Sequence, residues 1–167
     1  MFSCAALALW LDQWLKFWVI NNMSLHYPSI PLIPGYFALT YTRNFGAAWS
    51  MLWSQTHLLI GIAGVVACGI VLYAIRERHS AWLQMIGLGF LLGGALGNLL
   101  DRSRLGYVID MFDLQYGGRN IFPIFNIADI CIDIGVACLL LYSFMAGRQE
   151  KAALAAEATL GARPGDA

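Results

Sequence analysis

The sequence predicts an all-α membrane domain of four transmembrane helices that carries a small extracytoplasmic β-sheet on the membrane surface. Three observations carry this expectation. The 167 residues are 59% hydrophobic and only 12% charged, where a soluble domain carries about a quarter charged residues. The apolar residues gather in four blocks, 1–20, 57–75, 82–100 and 127–146, each close to the ~20 residues a helix needs to cross ~30 Å of hydrocarbon. The connections 21–56 and 101–126 hold aromatic and β-branched runs bounded by Pro and Gly, which is strand material.

The first block carries Asp12 and Lys16 within its apolar run and has no basic leader, so it reads as a retained helix rather than a signal peptide. These two residues are four apart, stand one turn from each other and neutralise each other inside the membrane. A structural role is expected of the pair. In segment 28–53, Pro28, Pro31, Pro34 and Gly35 punctuate the start. Tyr36-Phe37-Ala38-Leu39-Thr40-Tyr41-Thr42 then reads as a strand at headgroup depth.

A tight basic turn, Arg76-Glu77-Arg78-His79, joins the second and third blocks. In the third, Gly89, Gly93 and Gly97 recur every four residues and line one face, which permits close helix approach. Asn98 and Arg102 continue one face at the expected helix exit, and Asp101 is expected to pair with a neighbouring arginine. Stretch 107–122 adds strands, with Gly117-Gly118 as the hairpin turn. The tail 147–167 is Ala-rich and polar, a frayed end on the cytoplasmic side.

Four spans place both termini on one side with the basic turn, and Arg76, Arg78, Arg148 and Lys151 favour that side as cytoplasmic. The two long connections then share the outer face, where Arg43, Asn44, Asp101, Arg102, Asp110 and the start of the fourth helix converge. The chain reads as one transmembrane domain, 1–167. Zero formal net charge with scattered basic residues gives no footprint for nucleic acid. Cys4, Cys68, Cys131 and Cys138 all lie in apolar blocks without metal-ligand spacing, and His26, His57 and His79 share no such spacing either.

Two acids stand out. Asp110 sits in Tyr107-Val108-Ile109-Asp110-Met111-Phe112, and Asp129 in Phe125-Asn126-Ile127-Ala128-Asp129, both wrapped in apolar residues. Intramembrane carboxylates are costly, face cavities and serve function, and two that converge share a proton and activate water. Asp129 falls about 4–5 Å into the fourth helix, with Asp133 one turn deeper. The bland alternatives are a helix-start acid for Asp129 and Asp133, and for Asp110 an interfacial ion pair with Arg102 or Arg104. Asn44 reads equally as a turn residue.

Five motifs in order then resemble bacterial lipoprotein signal peptidase (signal peptidase II), an aspartic intramembrane protease. They are Leu11-Asp12-Gln13-Trp14-Leu15-Lys16, Arg43-Asn44-Phe45-Gly46-Ala47-Ala48, Gly93 to Arg102, Gly106-Tyr107-Val108-Ile109-Asp110 and Phe125 to Asp129. The resemblance implies that Asp110 and Asp129 are the catalytic dyad, that Asn44, Asn98, Arg102 and Asn126 line the substrate site, and that Asp12 is a structural motif acid. It implies cleavage of diacylglyceryl-modified prolipoproteins just before the lipidated cysteine, without metal or organic cofactor. The active site would lie near the outer face of the bacterial cytoplasmic (inner) membrane, with membrane lipids as partners and a monomer as the working unit. Trp49 and Met111 depart from the family's usual Phe and bear on pocket shape. Two other readings stand beside this one. A small proton- or cation-coupled transporter would use Asp12 or Asp129, and an inert scaffold would leave both Asp110 and Asp129 unexplained.

Overall fold

A computed structural model describes residues 1–26, 29–46, 55–77 and 81–161. Trp49, Ala47, Ala48, Arg78 and His79, which figure in the sequence reading, lie outside these. The elements run α1 (Phe2–Asn22), β1 (Ile30–Ile33), β2 (Phe37–Asn44), α2 (Thr56–Arg76), α3 (Trp82–Leu105), β3 (Val108–Tyr116), β4 (Arg119–Asn120) and α4 (Ile127–Gly161).

Helix α3 is the hub and packs against α4, α1 and α2, in decreasing extent. Its glycines explain why. A Cβ on Gly93 would stand 2.7 Å from both the Ala5 carbonyl oxygen and the Ala8 Cβ, and one on Gly97 would meet the Asp12 carboxylate and Ala128. The stripe Gly89, Gly93, Gly97 therefore lies on α1, while Gly87 and Gly94 lie against α4. Without these gaps the polar side chains of α1 could not reach α3.

Two helices run past their expected ends. Helix α3 continues five residues beyond 100 to Leu105, where Gly106 adopts a left-handed φ of 82° and its N–H bonds the Arg102 carbonyl at 3.0 Å. This is a glycine C-cap, and it places Arg102 inside the helix rather than at its exit. Helix α4 continues to Gly161, past the expected end of the span at 146 and through the stretch expected to be frayed helix, because the Ala-rich run after Arg148 has high intrinsic helix propensity.

Among the described residues, three helices are long and apolar enough to cross a membrane: Thr56–Arg76, Trp82–Leu105 and Ile127–Ala152. Helix α1 has the same 21 residues as α2, but Asp12, Gln13 and Lys16 lower its hydropathy.

The strands form one antiparallel sheet in the order β1-β2-β3-β4. Pro31 was read as punctuation, yet it sits inside β1; an edge strand tolerates a missing N–H. Gly117 and Gly118 turn β3 into β4 with φ of 58° and 78°, the pair of positive values a type I′ hairpin requires. Beyond the hairpin the chain returns to β3: the Met111 and Phe112 N–H groups both bond the Phe125 carbonyl, and the Phe125 N–H bonds that of Phe112. That return fixes where α4 begins.

Candidate active site

Asp110 is delivered by the sheet. It lies opposite Thr42 in the β2–β3 ladder, next to an irregularity between Leu39 and Thr42, and is 1% exposed. Both its oxygens accept from side-chain amides: Oδ1 from Asn126 Nδ2 at 2.6 Å and Oδ2 from Asn44 Nδ2 at 3.1 Å. The Asn44 amide is itself oriented, since its Oδ1 accepts the Gly46 N–H at 3.0 Å. The turn role and the site role of Asn44 are thus the same geometry.

Asp129 is delivered by a helix start. Asn126 precedes α4 and its Oδ1 accepts the Asp129 N–H at 3.0 Å, while Asp129 Oδ2 accepts the Asn126 N–H at 3.1 Å. This reciprocal pair is a capping box with Asp in place of Glu. The other Asp129 oxygen, Oδ1, accepts from Asn98 Nδ2 at 2.7 Å. So Asp129 does cap its helix, as the bland alternative held, with one oxygen; the other belongs to a different network.

Asn126 joins the two acids. Fully buried, it touches Asp110 through its side-chain Nδ2 and Asp129 through its backbone N–H and its side-chain Oδ1. It was expected to line a substrate site; its side-chain amide hydrogens go to Asp110 and Asn98. The walls of the adjoining cavity, about 1210 Å³, do include Asn44, Asn98, Arg102, Asp110, Asp129 and Asp133. Its deeper walls are apolar, with Leu59, Ile62 and Val66 of α2 facing Leu91 and Ala95 of α3. Burial, and then the charge of Asp129 close by, push the Asp110 carboxyl up to about 7, against the lowering pull of the Asn126 and Asn44 amides and of Lys16.

Behind this front is a second polar layer. Lys16 pairs with Asp12 at 2.9 Å and with Asp101 at 2.8 Å, and all three are almost fully buried. Asp101 was expected to pair with an arginine; the glycine gap at Gly97 brings α1 near enough for Lys16 to take it instead. Gln13, which the sequence reading passed over, donates to both acids, at 3.1 Å to Asp12 and 3.0 Å to Asp101. Asp12 reaches across to accept the Ala128 N–H at 2.9 Å, so α1 helps to satisfy the first turn of α4. The missed role of Gln13 did leave a signal, since it is a polar residue next to Asp12 inside an apolar run; for Asp101 only the partner was misread.

Arg102 donates from Nη2 to the Gly46 carbonyl at 2.7 Å, tying the end of the β2 connection over the site. Asp110 makes no ion pair with Arg102 or Arg104 among the described contacts. Asp113 lies apart, on the opposite face of β3, accepting from Thr40 at 2.8 Å and Gln115 at 2.7 Å. Asp133, one turn beyond Asp129, is exposed along the cavity.

Comparison with known proteins bears directly on this constellation. The family model of Signal peptidase (SPase) II matches residues 4–145. The chain is 41% identical over 152 residues to the lipoprotein signal peptidase of Enterococcus faecalis, covering 91% of this chain and 90% of that one. It is 43% identical over 147 residues to that of Geobacillus thermodenitrificans, covering 88% and 91%. Two solved bacterial membrane enzyme structures, both obtained by the in meso method, share the fold. One superimposes with a TM-score of 0.78 at 30% identity, covering 85% of each chain. The other has a TM-score of 0.74 at 31% identity, covering 83% of this chain and 88% of that one. These matches lend no support to the transporter alternative. A match over most of the length, at this identity, with two carboxylates joined through one buried asparagine, makes the chain a member of the signal peptidase II family of aspartic endopeptidases.

Proposed function

We propose that Asp110 and Asp129 are the catalytic pair with which this chain removes signal peptides from diacylglyceryl-modified prolipoproteins, cleaving before the lipidated cysteine. The observation that carries the assignment is the Asn126 bridge: one buried asparagine hydrogen-bonds both acids beside a cavity lined largely by apolar side chains.

Two carboxyls that act on each other hold one proton between them near neutral pH and titrate as a unit. The ionised member takes a proton from water, which attacks the scissile carbonyl. The protonated member hydrogen-bonds the developing oxyanion and then helps return a proton to the leaving amine. Asn44 and Asn98 hold the acids in place while their neighbours face the peptide, and Arg102 supplies the donor for backbone carbonyls or a lipid phosphate. The apolar walls of α2 and α3 suit acyl chains and the hydrophobic stretch of a signal peptide. Asp12 and Lys16 hold α1, α3 and α4 together beneath the pair.

Four helices span the bacterial inner membrane in this reading, as one domain over 1–167, with the sheet on the outer surface and both termini cytoplasmic. In support, α1 presents Phe2, Leu7, Trp10, Trp14 and Phe17 outward, each more than half exposed, an apolar face that fits lipid better than water. The working unit is a monomer in contact with bilayer lipids.

The test is cleavage of a lipidated precursor by purified protein in detergent. Asp110→Asn and Asp129→Asn should each abolish turnover while retaining lipopeptide binding. Residual cleavage above a few per cent in either variant would mean that Asp133 or Asp113 had been overlooked. A coupled transporter would cleave nothing in a single compartment.

A further inference from the structure

The side-chain amide of Asn98 fits its site equally well in either orientation, and only its hydrogen-bond partners can choose between them. One end, Oδ1, receives the Lys16 ammonium at 3.1 Å and Asn126 Nδ2 at 3.2 Å. The other, Nδ2, meets Asp129 Oδ1 at 2.7 Å. An ammonium has three donors and no acceptor. Here all three are spent, on Asp12, Asp101 and Asn98.

The direction then propagates. With its carbonyl end held by Lys16, Asn98 can offer Asp129 only N–H. Asn126 gives both its amide hydrogens, one to Asn98 and one to Asp110, and keeps its own oxygen for the Asp129 N–H. Counting Asn44, every contact that the two acids receive from this network is a donor. A proton on an oxygen lone pair facing the network would oppose a donor with a donor.

We propose that Lys16 is a positioning residue for the dyad: by capturing the carbonyl end of Asn98 it turns N–H groups onto both acids and confines the proton they share to lone pairs that face the cavity. This rests on the assignment of Asp110 and Asp129 as the reacting pair. It goes beyond a structural ion pair, because Asp12 alone would neutralise Lys16 without any consequence for Asn98. The charged groups around the ammonium are Asp12 from α1, Asp101 and Arg102 from α3, Asp110 from β3 and Asp129 from α4.

The decisive variant is the double substitution Lys16→Met with Asp12→Asn. One cation and one anion leave together, so the buried cluster keeps its net charge, and Asp101 retains Gln13 and the Ile109 N–H as donors. A purely structural or electrostatic role for the pair predicts the parent's pH–rate profile in whatever fraction folds. Orientation of Asn98 predicts otherwise. With the ammonium gone, only the longer Asn126 Nδ2 contact at 3.2 Å still holds the Asn98 oxygen; when the amide turns that oxygen toward the dyad, the protonated pair gains an acceptor, and the acid limb of kcat moves to higher pH by about one unit or more. At neutral pH kcat should fall about 10-fold or more, the worth of one charge-assisted hydrogen bond. KM for the lipidated precursor should stay within about threefold of the parent's, since no substrate contact is altered.

A folded double variant with the parent's kcat and acid limb overturns the proposal. Should the double variant not fold, Asn98→Ala decides, because it leaves Lys16 and both its acids in place. An upward shift of the acid limb is expected there too, because Asp129 loses the N–H that the oriented amide gives its ionised form, and an unmoved limb is equally fatal. Asp110→Asn and Asp129→Asn in the same assay separate this failure from failure of the dyad itself, which would show as cleavage by either.

Discussion

Asp110→Asn should abolish catalysis and, at neutral pH, make the protein more stable. The reasoning starts from the carboxyl's shift from 3.8 to about 7. In the unfolded chain Asp110 is ionised above pH ~4, whereas in the fold it keeps its proton until about 7. Folding therefore takes up a proton across this window, and the parent loses stability as pH rises through it. At 1.36 kcal/mol per unit the accumulated loss at pH 7 reaches at most about 4 kcal/mol.

An asparagine does not titrate and escapes this loss. Its own cost is a donor conflict: both Asp110 oxygens face amide N–H groups, so the new NH₂ must oppose one of them at about 1–3 kcal/mol. The variant should thus be less stable than the parent near pH 4 and more stable by about 1–3 kcal/mol at pH 7. Thermal unfolding in one detergent across pH 4–7 reads this directly. The difference in Tm between variant and parent should climb by roughly 3–5 °C per pH unit. Parallel curves, with a constant offset between the two proteins, would refute the argument, because they would mean that Asp110 has the same proton affinity folded and unfolded.

Five further substitutions, at four positions, probe the surrounding architecture. Gly93→Ala forces a methyl to within 2.7 Å of the Ala5 carbonyl oxygen and should cost about 1–3 kcal/mol of stability as overpacking. Gly64→Ala, with nothing within 4 Å, should be neutral or stabilising by up to about 1 kcal/mol, both measured by thermal unfolding. Arg102→Ala should weaken precursor cleavage by roughly 10- to 150-fold in kcat/KM, the loss of a charge-assisted bond. Arg102→Lys should recover only part of that, since it lacks the planar fork. Asp12→Asn should lower the melting temperature more than it lowers activity per folded molecule, because Lys16 still has Asp101 and Asn98 to hold it.

What could be read from the sequence was whatever depends on runs and spacing. Three of the four apolar blocks appear as helices that could span a bilayer. The hairpin at Gly117-Gly118 and the strand through Phe37–Asn44 follow from residue type. Strand β1 did not announce itself, because Pro31 is disfavoured in strands generally and acceptable only on an edge, and edges are decided by the tertiary fold. The ends of α3 and α4 were misjudged for a related reason. Hydropathy measures how much helix lies in hydrocarbon, not how far the helix continues: a C-cap sets the end of α3 at Leu105, and propensity carries α4 past Arg148.

The polar layer shows a deeper limit. Asn126-Ile127-Ala128-Asp129 carries its own local signal, a capping box readable at the level of four residues. Nothing in the spacing says that Asp129 has an oxygen to spare, or that Asn98 rather than Arg102 would take it. That choice belongs to Gly97. A side chain there would collide with the Asp12 carboxylate, so the bare backbone lets α1 come close enough for Lys16 to take Asp101 and the oxygen of Asn98. The same glycine that reads as a packing device thus governs which way an amide points, and through it which atoms the dyad has to work with. Packing and chemistry are not separable layers in this fold, because the contact that closes the helices is also the one that orients the site.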